Sequence, residues 1–342
     1  MRILMISPKV SGIGGVAQHV SKLIKKLESS GFEVDTISIE NTLHIPMKGL
    51  YNPSFAFYSA LKAMFNRFKG IKYDIAHGHN LPTWFSVKAS KARAKILTLH
   101  GVYSKQITVL HGKFLGFLSK RFEVYATRRV NKLTCISKDT YNYYKKLGVN
   151  VEFIPNAIDL NDMPSNGLKL YDKQVVFVGR LSKEKGIDVL LDALKYVDQD
   201  IHLLVLGSGP LKDTVIRACK LYPNLHYLGY KPRYECLKYI AGSNLLVLPS
   251  RIEGMPTVLL EAMALKVPVI ASRVPGVVDI VDDKTAVLVD VEQPLILARA
   301  INEFILNYPK SFVKRAYDRV VSEFNWDSIG NKYIKLYVSL LS

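Results

Sequence analysis

Cysteine is scarce. The 342 residues hold three, Cys135, Cys219 and Cys236. They stand far apart and form no metal-ligand spacing, which excludes a disulfide framework and favours free thiols in a reducing compartment. Long apolar runs are missing too. No stretch approaches the roughly 20 apolar residues of a membrane-spanning helix. Met1 to Pro8 has too short an apolar run for a signal peptide and reads as a first strand. The protein is therefore expected in the cytoplasm, at most peripheral on the inner face of the membrane. Low-complexity tracts and repeats at solenoid spacing are absent. Acidic residues are few in the first half. Residues 1–160 carry 24 Lys and Arg against 9 Asp and Glu, a balance of +15, whereas residues 161–342 carry 23 against 20, or +3.

A basic half beside a near-neutral half implies that the first half meets something anionic. Nucleic acid, an anionic membrane and a phosphate-bearing lipid are candidates. No zinc-finger or RRM signature is present, so no nucleic-acid partner is expected and a membrane surface stands ahead. A basic surface kept for solubility is the alternative. The composition, 49% hydrophobic and 22% charged, suits a globular protein with a real core. The length suffices for two domains.

Short apolar strands alternate with helices in both halves. Arg2–Ser7, Val34–Ile39, Asp74–His77, Ile96–Leu99, Leu133–Ser137 and Val151–Ile154 read as strands of a first unit. Val16 to Leu27 reads as its first helix. Residues 161–167 are polar and rich in breakers and read as a linker. Gln174–Val178, His202–Leu206, Leu245–Leu248 and Val267–Ala271 restart the pattern, with a helix over Ile187–Val197. The last helix, from Trp326 to Leu341, carries Ile329, Tyr333, Leu336, Tyr337 and Leu340 on one face. This alternation implies two parallel sheets covered on both faces and a cleft between them, with ligands at the carboxyl ends of the strands.

Glu253-Gly254-Met255-Pro256-Thr257-Val258-Leu259-Leu260-Glu261 is the most informative stretch. Pro256 can open a helix. Thr257 then sits where free backbone N–H groups attract phosphate. Glu261 lies one turn deeper on the same face. An acid, then phosphate donors, then a second acid suit sugar, diphosphate and ribose. A plain amphipathic helix with two acids is the alternative.

Other turns fall where strands end. Gly12-Ile13-Gly14-Gly15-Val16 opens a helix and can admit a phosphate. Gly12, Gly14 and Ala17 also fit the dinucleotide pattern, although the first glycine comes late after the strand. His100 follows a buried strand, in Leu97-Thr98-Leu99-His100-Gly101; a lone histidine there can equally be structural. Gly179-Arg180 and Lys185-Gly186 place two cations at a strand end, able to neutralise a diphosphate without a metal; a solvated turn is the alternative. Gly207-Ser208-Gly209-Pro210-Leu211 is another strand-end glycine turn.

With these stretches in order, the chain resembles the retaining GT-B-fold glycosyltransferases of family 4. The matching stretches are Gly14-Gly15-Val16, Thr98 to Gly101, Ile154-Pro155-Asn156-Ala157-Ile158-Asp159, Val178-Gly179-Arg180-Leu181 with Lys185-Gly186, Gly207 to Leu211, and Pro249-Ser250 leading into Glu253 to Glu261. The resemblance implies two Rossmann-like doubly wound α/β domains facing a central cleft. Residues 1–162 with the helix 326–342 would form the acceptor-binding domain, and residues 170–325 the nucleotide-sugar domain. Glu253 would bind donor-sugar hydroxyls, and backbone amides from Gly254 through Met255, Pro256 and Thr257 to Val258 would hold sugar and phosphate. Glu261 would bind the ribose. Arg180 and Lys185 would stabilise the departing diphosphate, with Gly14 and Gly15 approaching from the other domain. His100 would touch the sugar near the reacting carbon, and Tyr230 would meet the base. The turns at Gly179 and Gly207 complete the expected donor site. No metal and no cofactor are expected, and Asp198-Gln199-Asp200 reads as a surface turn. The implied reaction is retaining sugar transfer from a UDP- or GDP-sugar to a glycan or lipid-linked acceptor.

The pattern departs from the family at Lys266, Pro275-Gly276, Asp279 and Ala286. Three other readings stay open. They are an inactive nucleotide-sugar binding protein, an NAD(P)-dependent oxidoreductase resting on the glycines near residue 14, and a glycogen-type synthase, for which the chain is short. On the acceptor side, Phe57, Tyr58, Leu61, Met64, Phe65 and Phe68 form an apolar stripe beside Lys62, Arg67 and Lys69. Tyr103, Ile107, Leu110, Phe114, Phe117 and Phe122 form a second beside Lys105, Lys113, Lys120, Arg121, Arg128 and Arg129. Such stripes serve as core or, with basic flanks, as a membrane-facing surface.

Overall fold

The computed structural model describes residues 1–10, 15–47 and 49–342, and the side chains of all of these except 106 and 109–111. Two compact units divide the chain, Met1–Asn156 with Trp326–Ser342, and Ala157–Asn325. The boundary lies earlier than the sequence suggests. Residues 157–162, expected in the first domain, go with the second unit. The Ile158 N–H donates to the Phe324 carbonyl at 2.9 Å, and Asp162 pairs with Arg233 at 2.7 Å.

The first unit contains β1 (Arg2–Ile6), α1 (Gly15–Ser29), β2 (Glu33–Ile37), α2 (Tyr51–Phe68), β3 (Ile75–His79), α3 (Trp84–Ala89), β4 (Ala94–Leu99), α4 (Tyr103–His111), α5 (Lys113–Thr127), β5 (Lys132–Cys135), α6 (Lys138–Lys146) and β6 (Val151–Phe153). Its six strands are parallel in the order β2-β1-β3-β4-β5-β6. Strand order reverses between β1 and β3, and the crevice at such a point is where ligands bind in open α/β sheets. The core forms because β1 and β4 bury almost every side chain on both faces, as a parallel sheet covered by helices requires. Each fully buried Leu, Ile or Phe contributes roughly 1.5–3 kcal/mol. On α1, Val20, Leu23 and Leu27 face inward at helical spacing.

The second unit contains β7 (Gln174–Val178), α7 (Ile187–Ala193), β8 (His202–Leu206), α8 (Lys212–Cys219), β9 (Leu225–Gly229), α9 (Arg233–Ala241), β10 (Leu245–Leu248), α10 (Thr257–Ala264), β11 (Val269–Ser272), α11 (Pro275–Val278), β12 (Val287–Val289), α12 (Pro294–Asn307) and α13 (Lys310–Glu323). Its strands are parallel in the order β12-β11-β10-β7-β8-β9, with the reversal between β7 and β10. β9 and β12 had no counterpart in the sequence reading; β9 is only half-buried along most of its length, which weakens its apolar signal. The expected helix over 187–197 is α-helical to Ala193 and then tightens to a 3₁₀ turn over Leu194–Tyr196.

The chain then returns to the first unit as α14 (Trp326–Ser339), which packs on α1. Of the residues the helical spacing marked, Ile329, Tyr333, Leu336 and Tyr337 face inward, whereas Leu340 lies past the end of the helix and is half-buried. The stripe from Tyr103 to Phe122 is not one helix. Gly112, at φ +87°, takes a left-handed conformation that breaks it into α4 and α5. The Leu110 side chain in that stripe lies outside the described residues. Lys266, where the family usually has glycine, sits at φ +58°. A side chain there costs about 1–2 kcal/mol, which explains the usual glycine. Among the described residues no helix is long and apolar enough to cross a membrane.

Candidate functional site

At the strand-order reversal of the second sheet, the ends of β7 and β10 carry the residues marked by the sequence. After β7, the turn through Arg180 ends in a 3₁₀ turn over Lys183–Lys185. Gly186 closes it at φ +66°, and a Cβ there would overlap the Pro249 carbonyl oxygen after β10. Only glycine lets the two turns touch. Arg251 ties them further. Its backbone N–H donates to the Glu184 carbonyl at 2.8 Å, and its guanidinium grips Asp188 at 2.7 and 3.1 Å.

This packing brings Lys185 to Glu253. The ammonium lies 2.7 Å from both carboxylate oxygens, and the Ser250 hydroxyl donates to one of them at 2.7 Å. The Glu253 side chain is 4% exposed and that of Lys185 31%. The sequence reading gave Glu253 to the sugar and Lys185 to the diphosphate as separate groups, and the structure makes them one ion pair. Arg180 is exposed and has no ion-pair partner within 4.0 Å among the described residues. Gly276 adds a constraint, because a Cβ on it would overlap the carbonyls of Glu253 and Gly254.

α10 begins at Thr257, with Pro256 just outside it in an extended conformation. The first-turn N–H groups have no partner inside the helix. Thr257 and Val258 are half-buried there, and Met255 is buried behind them. Pro256 has no N–H, so the amide donors of this mouth are those of Gly254, Met255, Thr257 and Val258. Glu261, one turn deeper, is buried. It is not alone. The Arg233 Nε donates to its carboxylate at 2.9 Å, and the same guanidinium holds Asp162 at 2.7 Å. Burial lifts the Glu261 carboxyl above its ordinary value, and Arg233 opposes that rise.

Gly207 packs on the turn after β7, since a Cβ on it would overlap the Gly179 carbonyl oxygen. The Gly207 N–H donates to the Gly229 carbonyl at 2.9 Å. Tyr230 follows and is exposed. Asp198 and Asp200, on a turn at the other end of the strands, bond to Asn302 at 3.0 Å and Lys173 at 2.5 Å.

In the first unit the site residues sit elsewhere. Gly14 lies outside the described residues, with the rest of the turn from Ser11. Gly15 is the first residue of α1, and a Cβ on it would meet nothing within 4 Å. His100 lies after β4, and its Nε2 is 3.3 Å from the Nδ1 of His79. The sequence reading treated it as a lone histidine. It is one of four. His77 and His79, two apart on β3, lie on one face of the strand, and His19 comes from α1. Ring centroids of His19 lie 5.6 Å from His79 and 5.3 Å from His100. His77 is fixed by the Tyr337 hydroxyl and the Thr98 hydroxyl, each at 2.6 Å. His19 bonds to Asn156 at 3.1 Å and accepts from Tyr333 at 3.2 Å. The buried Nε2 of His79 has no partner among the described residues.

Burial holds all four histidines neutral. It lowers His19 to about 4 and His77 to about 3, and it drives His79 and His100 well below the ordinary value, with the neighbouring imidazoles adding to the effect. In the unfolded chain these groups take up protons near pH 6.5. The stability they contribute is therefore complete above that value and lost as pH falls towards 4. Each histidine adds a slope of up to about 1.4 kcal/mol per pH unit in that window. Melting temperature should fall steeply on acidification, and His77→Gln should flatten the fall. A melting temperature constant across the window would contradict this.

Comparison with known proteins follows the two units. The Glycosyltransferase Family 4 profile matches residues 13–162, and that of Glycosyl transferases group 1 matches residues 159–319. An uncharacterized glycosyltransferase of Methanocaldococcus jannaschii is 29% identical over 334 residues, covering 90% of this chain and 89% of its own. Among solved structures, sucrose-phosphate synthase from Thermosynechococcus elongatus superposes with a TM-score of 0.82 at 21% identity, over 99% of this chain and 98% of that one. HepE from Anabaena, in complex with UDP and glucose, superposes with a TM-score of 0.75 at 18% identity, over 99% of this chain and 100% of that one. At these identities the structural likenesses establish the fold. The oxidoreductase reading gains nothing from them.

Proposed function

The chain belongs to the group 1 glycosyltransferases of family 4 and has their GT-B fold, and from this premise we propose that it moves a sugar from a nucleotide-sugar to a glycan or lipid-linked acceptor. In this reading configuration at the transferred carbon is retained and no metal takes part. One observation carries it: the Lys185–Glu253–Ser250 cluster stands beside the open N-terminus of α10, with Glu261 one turn deeper. The UDP and glucose bound to HepE support the donor class.

Glu253 orients the donor sugar through its hydroxyls. The amides at the start of α10 hold the diphosphate, and Glu261 takes the ribose. Tyr230 lies towards the base. Gly179 and Gly207 keep side chains away from the phosphates, and Gly14 and Gly15 let a backbone approach them. The bond from the anomeric carbon to the diphosphate oxygen breaks, and its electron pair leaves with the diphosphate. Arg180, Lys185 and the amides stabilise that charge as it forms, and fixed donors need no reorganisation at that moment. The acceptor hydroxyl attacks from the same face, and its proton passes to the departing phosphate oxygen. His100, held neutral, bonds to the sugar near the reacting carbon and adds no charge there.

Thermal denaturation against a panel of UDP-, GDP- and ADP-sugars tests the reading. A donor at 100 times its dissociation constant stabilises by about 2.7 kcal/mol. One donor class should raise the melting temperature of the wild type and leave Glu261→Ala unchanged. Its turnover should survive EDTA, and the product anomer should match the donor. No shift with any donor, or an equal shift in Glu261→Ala, would sink the site assignment.

A further inference from the structure

The outer surface of the first unit is unlike an ordinary solvated face. α2 is apolar on two opposite sides. Phe55 and Ala63 face the core, whereas Phe57, Leu61, Met64, Phe65 and Phe68 recur at helical spacing on the opposite side and are all exposed, Phe68 to 76%. α5 repeats the arrangement. Gly116, Ala126 and Thr127 turn inward, and Phe114, Phe117, Leu118 and Tyr125 turn outward, with Phe114 at 74% exposure. α3 joins the two helices. It packs on α2, and its exposed Phe85 stacks on Phe122 of α5 with centroids 5.3 Å apart and planes 12° apart. The sequence left open whether these stripes were core. Their outward members are not.

The charge of this face has one sign. Residues 51–129 hold 14 Lys and Arg against two acids, Asp74 and Glu123. Glu123 is fully buried. Its carboxylate accepts from the N–H groups of Tyr103 and Ser104 at 2.8 and 3.3 Å and from the Tyr144 hydroxyl. Asp74 accepts from the Arg2 N–H at 2.9 Å and pairs with Arg93. What remains outward is aromatic and cationic, and the cations lie over the rings. Arg121 sits 5.0 Å from the Phe117 centroid, Arg129 3.7 Å from Tyr125, and Lys69 4.6 Å from Phe65. Beside α5, a pocket of about 360 Å³ is lined by Lys105, Lys113, Lys120, Ser104, Thr108 and Tyr143.

We propose that the outer face of α2, α3 and α5 docks on an anionic lipid bilayer, with its aromatic rings at headgroup level and its cations among the lipid phosphates. Rings carrying cations match the headgroup boundary, where apolar body and charge are both accommodated. A second copy would bring the same positive charge against this one. The pocket between α4 and α5 offers the ammonium groups of Lys113 and Lys120 to one headgroup phosphate, while that of Lys105 lies 3.7 Å from Asp139. Docking needs no donor and no turnover, so it stands or falls apart from the transfer reading.

Sedimentation with vesicles of phosphatidylcholine alone, and of phosphatidylcholine mixed with phosphatidylglycerol, tests it at low and at raised salt. The protein should bind the mixed vesicles at least about tenfold more tightly, and salt should weaken binding. The variant F57S/F65S/F68S should bind about tenfold more weakly or worse, as should F114S/F117S. K113A/K120A/R121A should lose about a hundredfold, near one decade or less per charge. All these side chains are solvent-facing, and melting curves will show whether the fold is kept. Equal binding to neutral and anionic vesicles overturns the proposal. So does wild-type binding by both phenylalanine variants, or a wild-type dimer that those variants make monomeric, which would assign the face to a second copy.

Discussion

Lys185→Ala is expected to slow sugar transfer by about 10²- to 10³-fold, the cost of removing one donor aimed at developing negative charge. Two effects are mixed in that number. Lys185 is also the partner of Glu253, whose side chain is 4% exposed. Without the ammonium, the carboxylate keeps only the Ser250 hydroxyl among the described residues. Leaving a nearly buried charge unpaired costs about 3 kcal/mol where both partners are buried, and less here because Lys185 is partly exposed. Lys185→Ala/Glu253→Gln separates the effects. It removes the orphaned charge, while the introduced carboxamide can still accept from Ser250. If the lysine acts on the diphosphate, melting temperature recovers in the double variant, yet its rate stays about 10²-fold or more below that of Glu253→Gln alone, which carries the loss of the sugar contact. A double variant as fast as Glu253→Gln alone would mean that Lys185 serves Glu253 alone. A change under about threefold in Lys185→Ala would remove it from the chemistry, since the lowest loss expected for such a donor is far larger.

Arg233→Ala should destabilise the second unit by about 3 kcal/mol, the low end for breaking a buried pair, because the Arg233 side chain is itself 28% exposed. Two carboxylates, Glu261 and Asp162, lose the guanidinium at once. The pH dependence should have a definite sign. Burial already raises the Glu261 carboxyl, and Arg233 is what opposes it. Without the arginine the folded-state value rises further above the unfolded 4.5. A raised carboxyl contributes stability at low pH that is lost as pH rises through the folded value. Arg233→Ala should therefore lose stability towards alkaline pH relative to the wild type, opposite in sign to the histidine effect. Donor binding should weaken about tenfold or more, since a hydrogen bond to a charged acceptor is worth about 1.5–3 kcal/mol. Arg233→Lys should restore part of it, as a single charge without the two-pronged geometry. Unchanged donor affinity with lost stability would make Arg233 a purely structural residue.

The donor side was more legible in the sequence than the supports around it. Glu253, Glu261, Lys185 and the glycine turns lie close together in sequence or at strand ends, and strand ends can be read from apolar runs. Arg233 was missed because Lys-Pro-Arg-Tyr-Glu looks like any solvated turn. One signal was available. Arg233 is the first residue of α9, and a cation at a helix N-terminus opposes the helix dipole. Departures of that kind mark residues held for another reason. Asp162 was missed because it stands in a segment rich in breakers. The histidine cluster was three-quarters invisible for a different reason. His77 and His79 share a strand face by simple alternation, but His19 and His100 join them only through the order β2-β1-β3-β4, which no local pattern encodes. Gly112 shows the opposite failure. A helical period ran straight across it, and one left-handed residue was enough to break the helix.

The return of α14 to the first unit bears on how the molecule is made. During synthesis the ribosome delivers residues 1–156 first, yet the first unit also takes in Trp326–Ser342. His77 waits for Tyr337, which is 260 positions later, and His19 waits for Tyr333, 314 positions later. The second unit is continuous in sequence and can close while still emerging. The first cannot, so its face against α14, with buried imidazoles and Ile, Leu and Tyr partners missing, stays open until Trp326–Ser342 has been made. Domains usually fold in the order they are synthesised. Here the unit begun first is finished after the second, and a nascent chain stalled before Trp326 would expose apolar surface that α14 otherwise covers.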